Sequence, residues 1–99
     1  MTLAALVLHE KDNVANLIGP GKKGQKVECR IEGKTDRTTV ELLDDIPSNH
    51  KFAFRDIAAG DTIVKYGLSV GKASKDIKKG QYVHAHNIES NRGRGDLSS

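Results

Sequence analysis

A mostly β fold, with short strands and little helix, follows from three features of the 99-residue sequence. Polar and apolar residues alternate with period two in several short runs, as half-buried strands require. An eight-residue pattern recurs: Asp-Ile, two residues, Gly or Asn, two residues, then an apolar residue. No long segment carries apolar residues at helical spacing, so the chain offers no amphipathic helix to pack.

The elements follow in chain order. Leu3 to Leu8 is a short apolar run with no cationic lead-in, and Glu10, Lys11 and Asp12 follow at once. It does not read as a secretory signal. Asp12 to Ile18 is the one place for a single helical turn, capped by Asp12 or Asn13. Gly19-Pro20-Gly21-Lys22-Lys23-Gly24 has the letters of G-x-G-x-x-G, but a strand-like segment follows where the dinucleotide fingerprint needs a helix. Gln25 stands where a P-loop needs lysine, so the stretch is a loop. Lys26 to Ile31 alternates cleanly and is a strand; Glu32-Gly33-Lys34 is a turn. Thr38 to Leu43 and Asp61 to Tyr66 are rich in β-branched residues and read as strands. Lys51 to Arg55 is a further strand, with Phe52 and Phe54 on one face. Tyr66 to Gly71 supplies a glycine-bounded turn and a short strand, and Tyr82 to His86 reads as extended.

The recurring octet is Asp56-Ile57-Ala58-Ala59-Gly60-Asp61-Thr62-Ile63 and Asp76-Ile77-Lys78-Lys79-Gly80-Gln81-Tyr82-Val83. A third copy, Asp45 to Phe52, has Asn49 in place of glycine. Gly and Asn are the residues that most readily take positive φ, so each copy predicts a corner that buries one Ile and launches a strand. Spacings of 11 and 20 residues between copies exclude a solenoid of fixed period.

Composition bounds the function. One compact domain with one modest core is what this length can bury. With two Phe, two Tyr and no Trp, that core has to be aliphatic. No run approaches the roughly 20 apolar residues of a membrane-spanning helix, so no membrane partner is expected. Sixteen basic against thirteen acidic residues leave a net charge of +3. Spread out and without stacking aromatics, it predicts no nucleic-acid partner. The single Cys29 cannot form an internal disulfide and fits a reduced cytoplasmic setting. The Arg-Gly-Asp at 94–96 is a weak adhesion motif, since no export signal is expected.

Two groups of residues could carry chemistry. On an extended segment, His84 and His86 share a face with Tyr82, their α-carbons roughly 6.5–7 Å apart. Two such imidazoles can converge on one divalent metal if a third ligand completes the site, and imidazole suits iron, zinc, copper or nickel. The alternative is a pair of solvated histidines on a polar face. Lys65 and Tyr66 end a strand where each could touch a ligand; otherwise they are a solvated lysine and a tyrosine covering the core. His9 and His50 sit in turn-like surroundings and read as surface residues. No catalytic triad or nucleophile elbow can be assembled.

His50-Lys51-Phe52-Ala53, Ile63-Val64-Lys65-Tyr66-Gly67, Val70-Gly71-Lys72-Ala73 and Val83-His84-Ala85-His86-Asn87, interleaved with the octets, resemble the small N-terminal domain of the altronate dehydratase (altronate hydrolase) and galactarate dehydratase family. Leu8 to Ala15 and Asn87 to Leu97 are similar too. The resemblance implies a β-clip fold of the SAF type over residues 1–88, shared with type III antifreeze proteins and the C-terminal domain of sialic acid synthases. Residues 89–99 would form a mobile polar tail or linker toward a large catalytic domain or subunit. It implies a hydro-lyase that eliminates water from a sugar acid to give a 2-keto-3-deoxy acid, using a divalent metal, usually Fe(II), shared with the catalytic partner. Such an elimination needs a base, an acid and a Lewis acid, so the isolated chain is expected to be inactive. His84 and His86 would reach the metal, and His50, Lys65 and Tyr66 would line the substrate. The small subunit of sulfolactate lyase is also similar, and a non-catalytic sugar-acid binding or assembly module is the remaining alternative.

Overall fold

A computed structural model describes residues 3–89. It contains eight strands, and among the described residues there is no helix. They are β1 (Leu3–Val7), β2 (Val14–Ile18), β3 (Lys26–Ile31), β4 (Arg37–Glu41), β5 (Lys51–Ala53), β6 (Thr62–Lys65), β7 (Leu68–Ala73) and β8 (Ile88–Glu89). The first five form one sheet in the order β4-β3-β1-β2-β5, and the last three a second in the order β6-β7-β8. Central β1 pairs antiparallel with β2 and parallel with β3, so the 19–25 segment passes the start of β1 to connect its two neighbours. This mostly β module of short strands is the class the sequence predicts, and it is consistent with a SAF-type β-clip. The 90–99 portion of the expected tail, with its Arg-Gly-Asp, lies outside the described residues.

The helical turn expected over 12–18 is strand β2. Asp12 is buried, and its carboxylate accepts the backbone N–H groups of Tyr66 (3.0 Å) and Gly67 (2.8 Å). Asn13 accepts from Val64 N (2.8 Å) and donates to the Thr62 carbonyl (2.9 Å). Residues with the chemistry to cap a helix instead fasten the β6–β7 hairpin across the molecule, which holds the following residues extended.

The octets fold as corners that lock in pairs. Ile57 and Ile77 exchange both backbone hydrogen bonds, each 2.7 Å. The Asp beside each Ile caps the opposite corner: Asp56 accepts from Lys79 N (2.8 Å) and Asp76 from Ala59 N (2.9 Å). Gly60 and Gly80 take φ of +90° and +97°, Asn49 takes +65°, and each donates its N–H to a neighbouring strand carbonyl. The Asp45 corner has a partner that the sequence reading treats only as a loop. Pro20-Gly21-Lys22-Lys23-Gly24-Gln25-Lys26-Val27 is a fourth copy, with Gly24 at φ +91° and Gly21 exchanging hydrogen bonds with Ile46. Gly21 replaces the Ile because Leu42 and Leu17 already fill the space a side chain would enter. Asp45 caps Lys23 N at 2.9 Å, while Pro20 offers no carboxylate in return.

The single core expected from chain length is divided. One buried cluster contains Ala5, Val7, Ala15, Leu17, Val27, Cys29, Val40, Leu42, Ile46, Phe52 and Phe54. A smaller one contains Val14, Ala53, Ile57, Ile63, Ala73, Ile77 and Val83. Alternation explains the split: β2 and β5 send Ala15, Leu17 and Phe52 to one side and Val14 and Ala53 to the other. Burial pushes the Cys29 thiol up to about 12 against the opposing Lys79 ammonium, so it packs as a small apolar group.

The corners give a paired test. An alanine at Gly60 meets open space and costs only the positive φ, about 1–2 kcal/mol. At Gly80 a Cβ also overlaps the Glu41 carbonyl oxygen. Denaturant unfolding is expected to rank Gly80→Ala well below Gly60→Ala. Asp76→Ala removes one cross-corner bond and is expected to cost about 1 kcal/mol by the same measurement.

Candidate functional site

The Asp76 corner ends at Tyr82-Val83 and leads into the 84–87 turn. Tyr82 bridges Phe52 of β5 and donates its N–H to the Asp44 carboxylate at 3.0 Å. The chain then turns. Asn87 N and Ile88 N both donate to the His84 carbonyl, at 3.0 and 3.1 Å. Buried Asn87 closes the turn from inside, accepting from His84 N (2.9 Å) and donating to the Tyr82 carbonyl (2.8 Å). Residues 84–87 are therefore a turn and not the expected strand, because the Asn87 amide satisfies backbone groups that would otherwise need a neighbouring strand.

The turn still gathers the histidines. The His84 ring stacks on Tyr82, with centroids 5.3 Å apart and planes within 5°, and His86 lies tilted against the same ring at 5.7 Å. His50, from the third corner, hydrogen-bonds through Nδ1 to the Tyr82 hydroxyl at 2.6 Å and lies 5.4 Å from the His84 ring. His50 is half-buried in this cluster, not the plain surface residue expected, while His84 and His86 remain exposed. Tyr82 thus joins three imidazoles, one with a committed nitrogen and two presented to solvent. His86 also lines a 270 Å³ depression with Asp44, Lys75, Asp76, Gln81 and Asn87.

Lys65 and Tyr66 form a second locus, at the tip of the β6–β7 hairpin. Tyr66 and Gly67 both take positive φ, 58° and 74°, the signature of a two-residue type I′ turn. Asn usually fills the first position, and a tyrosine there is strained by roughly 1–2 kcal/mol. The Asp12 carboxylate, accepting both N–H groups, holds that conformation. Tyr66 is 55% exposed and covers no core; the Lys65 ammonium sits 5.1 Å from its ring centroid. Lys51, which sequence reasoning did not single out, starts β5. It pairs with Asn16 on the face of β5 opposite Phe52. Burial, reinforced by the nearby Lys65 ammonium, pulls Lys51 below the usual lysine range.

Residues 3–91 match the family described as the altronate/galactarate dehydratase SAF domain. The chain belongs to that family. This SAF domain is 42% identical over 84 residues to the altronate dehydratase of Escherichia coli K12, covering 85% of the chain but 16% of that relative. It is 33% identical over 76 residues to the galactarate dehydratase (L-threo-forming) of the same organism, covering 77% of the chain and 13% of the relative. It is also 30% identical over 88 residues to the (2R)-sulfolactate sulfo-lyase subunit alpha of Chromohalobacter salexigens, covering 87% of the chain and 94% of the relative. The SAF domain therefore spans about a sixth or less of these two dehydratases, and nearly all of the sulfo-lyase subunit.

The fit of the implied divalent metal is decided by the donors. Among the described residues no group of three His, Cys, Asp or Glu side chains could hold a metal. His84 and His86 each lie against Tyr82, and no ring contact joins them to one another. The described residues of this SAF domain thus do not form a closed metal site by themselves.

Two outcomes test the scaffolding. Asp12→Ala strips the acceptor from two hydrogen bonds to a charged group and is expected to cost about 3 kcal/mol in denaturant unfolding. For Lys51 the lowered value means that the unfolded chain binds the extra proton, so the charge destabilises the fold at neutral pH. This penalty fades as pH rises through the lowered value toward that of the unfolded chain. Lys51→Met is therefore expected to raise the thermal midpoint at pH 7, with the difference from the parent narrowing in alkaline buffer.

Proposed function

We propose that this SAF domain works as the small component of a sugar-acid hydro-lyase of the altronate and galactarate dehydratase type. In this reading a large catalytic domain or subunit performs most of the chemistry. The product is a 2-keto-3-deoxy acid: a proton leaves the carbon beside the carboxylate, the neighbouring hydroxyl departs as water, and the enol ketonises. The observation that carries the reading is the cluster around Tyr82, where His84 and His86 stand exposed on a turn fixed by buried Asn87.

Exposed imidazoles held by a rigid scaffold can move protons at a joint boundary, which suits a component that lines a chamber completed elsewhere. The divalent metal, Fe(II) in this proposal, belongs to the assembled enzyme. His84 or His86 could add a donor there only beside ligands from the large partner, and no step is assigned to the metal on this chain. His50, Lys65 and Tyr66 are proposed to face the substrate, His50 through its bond to Tyr82 and the other two from the hairpin tip. A reducing cytoplasmic setting accords with the lone buried Cys29.

The length relation favours a second reading. The chain matches 94% of the sulfo-lyase subunit alpha, a protein of its own size, which favours a substrate acid that bears a sulfonate, the proton leaving the carbon beside the carboxylate and the sulfonate departing as sulfite. One experiment separates the two. The chain is co-expressed with the large dehydratase chain of its own organism, supplied with Fe(II), and assayed on altronate, galactarate and sulfolactate. Water elimination from a sugar acid only when both chains are present is the expected result, with the His84→Ala, His86→Ala double variant at least ten-fold slower. Turnover of sulfolactate alone selects the second reading. Turnover by the small chain alone, or an unaltered double variant, contradicts the joint site.

A further inference from the structure

Three stretches of chain remote in sequence enclose the depression beside His86, and hydrogen bonds hold them together. Leu43 N donates to the Gly80 carbonyl at 2.9 Å, and Ser74 N to the Asn87 carbonyl at 3.0 Å. Tyr82 N donates to the Asp44 carboxylate at 3.0 Å. The walls are Asp44, Lys75, Asp76, Gln81, His86 and Asn87, so every lining side chain is polar. At 270 Å³ the space falls just short of the roughly 300–1,000 Å³ of sites that enclose a whole small ligand. It suits part of a molecule.

The walls hold hydrogen-bonding capacity that the fold does not use. Asp44 accepts Tyr82 N through Oδ2, and Asp76 accepts Ala59 N through Oδ1 at 2.9 Å. Each carboxylate keeps a second oxygen with no hydrogen bond among the described residues. Gln81 accepts Lys78 N through Oε1 at 2.7 Å, which leaves its amide nitrogen free to donate. Neither Lys75 nor His86 has a hydrogen bond or ion pair among the described residues. Asn87 is buried, and its bonds to the backbone on either side of Val83 make one edge of the depression rigid.

The charge of the walls selects among ligands. Two carboxylates against one ammonium leave them net negative, so they repel an acid group. An apolar group finds no apolar side chain there. Hydroxyl groups both donate and accept, and they match carboxylate acceptors placed beside ammonium and amide donors.

We infer that this depression is a subsite for a hydroxylated carbon chain, the neutral end of a polyhydroxy acid. Asp44 and Asp76 accept from its hydroxyl groups, and Lys75 and Gln81 donate to them. The inference deepens the reading above and rests on it for the identity of the ligand. It also orients that ligand. The acid group stays outside the depression, and hydroxyl-bearing carbons lie beside His86, where a departing hydroxyl needs a proton. A three-carbon sulfonate with one hydroxyl would leave most of these groups unmatched, so the subsite speaks for a sugar acid.

Side-chain NMR of histidine and lysine in the full chain tests this, with the uncharged polyol galactitol as the probe. Propionate at matched ionic strength is the control. Galactitol, titrated into the high millimolar range, is expected to shift His86 and Lys75, and propionate to shift neither. Asp44→Asn keeps an acceptor for Tyr82 N but loses the charge, and Lys75→Met changes a side chain with no bond in the fold. Each is expected to weaken galactitol binding about ten-fold, the scale of one lost charge-assisted bond. In the assembled enzyme each should raise KM for a sugar acid more than it lowers kcat. Unmoved His86 and Lys75, or equal movement with propionate, overturns the subsite even where the two chains together eliminate water. Shifts with Mg²⁺ and none with galactitol make the carboxylates a cation site and overturn it too. Galactitol binding in a protein that eliminates nothing supports the subsite and removes only the proposed activity.

Discussion

The mutual hydrogen bonds between Ile57 and Ile77, capped crosswise by Asp56 and Asp76, are the constraint on which the architecture depends. Each Ile brings its side chain into the smaller core while its backbone serves the other corner. Each glycine then turns the chain so that the next strand starts in register. A domain with a modest aliphatic core gains uniqueness from such reciprocal locks, because neither corner can shift without breaking the other. The Gly21–Ile46 pair repeats the device at the other end with one cap missing, and the larger core, with Leu42 and Leu17 over Gly21, makes up the difference.

Much of this was legible in the residues. The alternation of Lys26 to Ile31 and the octet grammar correctly marked strands and corners, and Asn49 behaves like the glycines it replaces. The fourth corner escaped because Pro20 and Gly21 stand where Asp and Ile identify the others. Lys22-Lys23-Gly24-Gln25 nevertheless repeats Lys78-Lys79-Gly80-Gln81, and a search tolerant at the first two positions would have found it. The division of the core was invisible because period-two alternation shows that a strand has two faces but not that both are buried.

The site was legible in its chemistry and less so in its geometry. His84 and His86 do share a surface with Tyr82, but through a turn closed by Asn87, which local propensity could not distinguish from a strand end. Asp12 has the look of a helix cap, and its true role is set by Tyr66 and Gly67, more than fifty residues away. Lys51 carried no signal at all, since a lysine at a strand start is ordinarily solvated. Only packing against β2 and proximity to Lys65 give it an altered environment. Long-range side-chain-to-backbone bonds are what a local pattern cannot foresee.

The resulting picture is of a small, firmly cross-braced module that displays two chemically distinct surfaces and leaves both open. An imidazole cluster gathers around Tyr82 and an exposed Lys65–Tyr66 hairpin tip lies apart from it, and neither is enclosed by the domain itself. Openness of that kind fits a component whose site is finished by a larger chain. The most direct measurement is histidine ring NMR on the labelled small chain before and after it joins the large one. The account predicts that the His84 and His86 resonances shift on assembly and shift again when substrate binds. A stable complex in which both rings keep their free-chain spectra would contradict it.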